Sequence, residues 1–74
     1  MLKELRNNKG LSQSELADVS SVNVRMIQHY EQGYKDINKA KLETLINLSL
    51  ALECGISDLL TNEDLRNKCG RAKL

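Results

Sequence analysis

Proline, tryptophan and phenylalanine are absent from these 74 residues, and two tyrosines are the only aromatic side chains. The core must therefore be aliphatic. Cys54 and Cys69, the two cysteines, lack the paired spacing of a zinc site and the short motif of a redox enzyme, so both read as free thiols. A single histidine, with no nucleophile and base pair and no clustered metal ligands, leaves little room for an enzyme. Neither a metal nor a cofactor is expected. No apolar run is long enough to cross a membrane, and the opening MLKELRNNKG reads as an amphipathic helix rather than a signal peptide. A reducing cytoplasm is the expected compartment, with no membrane and no small-molecule ligand as partner.

What is present is leucine and isoleucine at helical spacing throughout. No segment alternates as a half-buried strand does, so an all-α single domain is expected. The net charge of +1 conceals an asymmetry: residues 1–65 carry seven Lys/Arg against ten Asp/Glu, and residues 66–74 carry four basic residues and no acidic one. We divide the chain accordingly into a domain over 1–65 and a basic tail, Arg66, Lys68, Arg71 and Lys73, over 66–74. Bulk charge does not announce a nucleic-acid binder, so such a function must rest on a local patch. The tail itself reads equally well as a solvated, frayed terminus.

The punctuation predicts five helices. The first runs from Leu2 to about Lys9 and stops at Gly10, which offers a left-handed residue. Ser12 followed by Glu15 is a capping box, so a second helix begins at Gln13 and reaches about Val19, with Leu16, Ala17 and Ser20 inward. Asn23 caps a third from Val24 to Gln32, closed by Gly33. After the loop GYKDIN, Asn38 is placed to cap a fourth helix reaching Leu52, with Leu42, Leu45, Ile46, Ser49 and Leu52 along one stripe. Gly55 breaks it, and ISDLL opens a fifth helix that is extended through TNEDLRNK towards Gly70. The expected core is Leu5, Leu16, Ala17, Val22, Ile27, Leu42, Leu45 and Leu52.

The third helix places Met26, Ile27 and Tyr30 on one face and Arg25, Gln28, His29 and Gln32 on the other. Two short helices joined by a tight turn, the second presenting polar groups outward, is the arrangement that seats a helix in the DNA major groove. Arginine can bond guanine O6 and N7 together, and glutamine adenine N6 and N7. Histidine can donate or accept there, and Val24 can meet a thymine methyl. An ordinary solvated helix face is the plain alternative, and composition alone does not overturn it.

The segments LKELRNNKGLSQSELADVSSVNVRMIQHYEQG and LETLINLSLALECGISDLL resemble the phage repressor and Cro-type helix-turn-helix family, also called xenobiotic-response-element-type regulators. The likeness spans Leu2 to Leu60 and rests on several spaced features: LSQSELA, valine then isoleucine five residues on, YEQG and LETL. It implies a five-helix, lambda-repressor-like DNA-binding domain whose second and third helices form the helix-turn-helix. It further implies base reading by Val24, Arg25, Gln28 and His29, and phosphate contacts by Gln13, Asn23, Tyr34 and Lys35. Ala17 falls where the helices approach closely, and Arg6 with Glu31 falls on a structural ion pair. Three departures stand out. Ser21 replaces the glycine of the turn, at a cost of roughly 1 kcal/mol if it is left-handed without compensating hydrogen bonds. The segment between Gly33 and LETL is three residues longer than the commonest form, and Glu53 replaces a helix-ending glycine, a task expected to pass to Gly55.

The resemblance thus implies sequence-specific double-stranded DNA binding by a small transcriptional regulator, expected to be a repressor. One module spans few base pairs, so a homodimer on two half-sites is expected, with Leu50, Leu59, Leu60 and Leu65 as candidate contacts. For Leu59 and Leu60, closing the core is the competing role. The rival reading is a protein-interaction module of the same fold, an antitoxin or anti-regulator that masks a partner. RNA is a weaker alternative, since stacking aromatics are scarce.

Overall fold

A computed structural model describes residues 2–72. Among these there are six α-helices and no strand: α1 (Leu2–Asn8), α2 (Gln13–Ser20), α3 (Val24–Gln32), α4 (Leu42–Leu52), α5 (Ile56–Leu59) and α6 (Glu63–Ala72), with a 3-10 turn at Ile37–Lys39 before α4.

Local chemistry sets the first three. Gly10 at φ +70° lets the chain leave α1. At α2 the Glu15 amide donates to the Ser12 hydroxyl (3.0 Å) and the Ser12 amide donates to the Glu15 carboxylate (2.9 Å), satisfying two amides that a helix start leaves free. Ser21 ends α2 in the left-handed region at φ 60°. The strain of a side chain there is offset locally, because the next amide, that of Val22, donates to the Ser20 hydroxyl at 3.2 Å. The Arg25 amide donates to the Asn23 side chain at 2.8 Å to open α3, and Gly33 at φ 83° closes it.

Beyond Gly33 the chain departs from the expected path. Asn38 does not cap α4; it lies inside the 3-10 turn, which Asp36 caps, and α4 starts after Lys41 with no side-chain cap. The Asn38 amide oxygen instead accepts from the amides of Thr61 (2.8 Å) and Asn62 (2.9 Å), while its nitrogen donates to the Thr61 hydroxyl and to Asp36 (both 2.7 Å). This also explains why the expected fifth helix is two. With the Thr61 and Asn62 amides taken by Asn38, the ladder is interrupted at Leu60, and the Asn62 side chain starts α6 by accepting from the Leu65 amide at 3.1 Å. Nor does Gly55 end α4. Glu53 takes the left-handed position itself at φ 53°, and Gly55 is extended at the start of α5.

The core consists of Leu2, Leu16, Val22, Ile27, Ile37, Leu45, Leu48, Leu52, Leu59, Leu60 and Cys69, with Leu5, Ala17, Met26 and Tyr30 partly buried against it. Leu42, expected inside, is 57 % exposed. The buried arc of α4 is Leu45, Leu48, Ser49 and Leu52. Leu42, Ile46 and Leu50 are spaced by four and drift about 40° around the helix at each step, so they leave that arc together. Leu48 takes the inward place.

Ala17 packs partly buried in α2, which contacts both α3 and α4. Replacing it with leucine should overpack this contact and lower stability by about 1–3 kcal/mol. Denaturant melts of parent and variant test the pairing, and coincident curves would show room there that the packing does not provide.

Candidate nucleic-acid interface

The outward face of α3 is stabilised from behind. Ile27 is fully buried, and the last turn is tied to α1 and α2 by a bidentate pair. Arg6 Nε donates to Glu31 Oε2 at 2.7 Å and Nη2 to Oε1 at 3.0 Å, while Nη1 donates to the Leu11 carbonyl at 2.8 Å. The two side chains are only 10 % and 3 % exposed. Burial by itself pushes the Glu31 carboxyl up, but hydrogen bonds from Arg6 and Gln13, with the charges of Arg6 and Lys3, outweigh it and hold the group below its ordinary range. The bond to Glu31 raises Arg6 in turn. Helix α1 is thus locked to α3 without using any residue on the outer face of α3.

On that face Arg25 and Gln32 are exposed, and Val24, Gln28 and His29 are half-buried. Among the described residues the ion pairs are Arg6–Glu31 and Lys9–Glu53, so Arg25 carries an unpaired charge into solvent. The expected phosphate contacts divide. The Gln13 amide donates to Glu31 at 3.2 Å, and the Asn23 oxygen is engaged in the cap. Lys35 lies along α3, its ammonium 3.4 Å from the Met26 sulfur. Tyr34 is 76 % exposed, and its ring meets that of His29 edge to face at 5.9 Å. A cleft at the same end is lined by Lys3, Ser12, Gln13 and Gln32 around the ion pair, which brings Lys3 of α1 beside the α2 start. Composition gave no signal for Lys3, because its position depends on how α1 docks.

The other expected sites separate from this face. Leu59 and Leu60 are buried in the core and so cannot serve as dimer contacts: α5 is a single turn whose Leu59, with Leu60 just after it, closes the core. Leu50 stays 72 % exposed and Leu65 37 %. The expected boundary at residue 65 falls within α6, which continues through Arg66, Lys68 and Arg71. Arg66 donates to the Ser57 carbonyl at 3.1 Å, and Lys68 borders an apolar groove with Leu42, Leu65 and Cys69. Lys73 lies outside the described residues. Cys54 and Cys69 are free thiols, no His/Cys/Asp/Glu cluster fit for a metal occurs among the described residues, and no helix among them is long and apolar enough to cross a membrane.

Comparison with known proteins gives a consistent picture. A helix-turn-helix family profile matches residues 2–59. The chain is 33 % identical over 69 residues to the control protein C.SmaI of Serratia marcescens, covering 93 % of this chain and 79 % of that protein. No solved structure matches. The exposed face of α3, the short turn that precedes it and these matches lead to one conclusion: the chain belongs to the phage-repressor and Cro-type helix-turn-helix family of DNA-binding transcriptional regulators.

Proposed function

We propose that the protein reads specific duplex sequences by laying α3 in the major groove, and that it acts as a repressor by occupying its operator. Arg25, Gln28 and His29 discriminate bases, Val24 meets a thymine methyl, and Gln13, Asn23 and Lys35 set the register on phosphates. The reaction chemistry of an enzyme has no part in this role, and its place is the cytoplasm. The observation that carries the reading is Arg25, exposed and without an acidic partner among the described residues on a helix anchored by the buried Ile27. A protein that masks a partner has no need to keep that charge in solvent. Selection from random duplex DNA tests it. An enriched two-half-site motif is expected, and recovery of unenriched sequence would overturn the reading.

Two half-sites call for two copies. The stripe Leu42, Ile46 and Leu50 on α4, with Leu65 on α6, supports a homodimer, because four large aliphatic side chains are left in solvent. Leu50→Lys should raise the dimer dissociation constant by about 10- to 100-fold, the equivalent of losing one buried leucine at an interface, while leaving the monomer folded. Sedimentation across a concentration series measures this, and a wild-type chain that stays monomeric with and without operator would count against the dimer.

A further inference from the structure

His29 is held from two sides. Its carbonyl oxygen accepts the amides of Gly33, Tyr34 (2.9 Å) and Lys35 (3.2 Å), so three successive amides converge on one atom at the end of α3. Gly33, at φ 83°, has the left-handed conformation that turns the chain back. That turn brings the Tyr34 ring across the last helical turn, where it meets the imidazole with centroids 5.9 Å apart and planes 80° from parallel. This is the geometry that aromatic quadrupoles favour. Tyr34 is otherwise largely in solvent, and His29 is the ring it meets among the described residues.

An imidazole is a demanding base reader. One nitrogen donates and the other accepts in its neutral form, so a ring flip exchanges the two groups presented to the base edge. Hydrogen bonds weaken steeply once the angle is lost. A free ring at the end of the helix would average over these states and discriminate little.

We propose that Tyr34 is a positioning residue for base recognition, its ring holding the His29 imidazole in one orientation towards the base edge. This rests on the DNA reading of α3. It gives Tyr34 a different task from a phosphate contact, since the ring acts and the hydroxyl does not.

The test uses the full chain with Tyr34→Phe, Tyr34→Ala, His29→Ala and the double alanine variant, each titrated against the selected operator and duplexes changed at single base pairs. Tyr34→Phe should retain wild-type affinity and preference. Tyr34→Ala should lose preference about five- to tenfold at the same base pair that His29→Ala relaxes, with other positions unchanged. The double variant should be no worse there than His29→Ala, the non-additivity expected of groups acting through one contact. In the free protein, the ring-proton shifts of His29 should move in Tyr34→Ala and stay in Tyr34→Phe. Equal weakening of Tyr34→Phe on every duplex would show a hydroxyl–phosphate contact and overturn the proposal alone. Unchanged preferences in Tyr34→Ala would do the same. A wild-type chain that enriches no duplex overturns the DNA reading and this proposal together, whatever the free-protein shifts show.

Discussion

Glu31→Ala should destabilise the domain by about 3–5 kcal/mol, the range for removing one partner of a buried ion pair. The Arg6 guanidinium would keep the Leu11 carbonyl at 2.8 Å and lose both bonds to the carboxylate. The Gln13 amide would lose its acceptor as well. Most of the cost is thus the penalty of a charge left buried and unpaired, rather than the worth of the pair. Replacing both partners together, Arg6→Met with Glu31→Leu, should therefore recover most of the loss. Urea melts decide it: a double variant as unstable as the single one would show that the pair itself supplies the stability.

Acid should weaken the same contact in the parent. Glu31 titrates below its ordinary 4.5 in the folded chain, so the unfolded state takes up its proton first as pH falls. The contribution of the pair is complete above about pH 4.5 and is lost as pH drops through the depressed folded value. The gap between parent and Glu31→Ala should narrow over that interval and stay constant at neutral pH.

Arg25→Ala should cost about 1–3 kcal/mol per half-site, and about twice that on a two-half-site operator, with preference relaxed at one base position of each. The arginine is exposed, so its loss leaves folding intact and the effect is confined to recognition. Lys35→Ala should behave otherwise. Loss of a phosphate contact weakens binding to all sequences by a similar factor and reduces the salt slope by nearly one for each contact. Titration of both variants against operator and scrambled duplex at two salt concentrations separates the roles. Equal losses of Arg25→Ala on the two duplexes would remove it from the base readers.

The legible parts of the fold were those decided within one turn of the chain. Ser12 with Glu15, Asn23, Gly10 and Gly33 act on amides and dihedrals beside them, so residue type and spacing suffice to place α1, α2 and α3. The outward set on α3 followed from the same periodicity. The later elements depend on distant partners. Asn38 is as good a cap as Asn23 by local chemistry, but its oxygen bonds amides 23 and 24 residues away, and no spacing rule anticipates that choice. Glu53 ends α4 where glycine is expected, with its carboxylate paired to Lys9 of the first loop. Leucine likewise carries no label for facing in or out along α4: Leu48 and Leu50 differ only in which side the packed neighbours occupy.

Asn38 also has a consequence for how the molecule comes apart. Its bonds to Thr61 and Asn62 close a loop around α4 and α5, and beyond that clasp Cys69 is the α6 side chain, among the described residues, that reaches the buried core. Few buried groups and mostly solvated ones make α6 the section with the lowest opening free energy, so its amides should exchange with solvent first while those of α2 and α3 remain protected. A helix that opens without loosening α2 and α3 leaves the exposed face of α3 in place while its own contacts break and re-form.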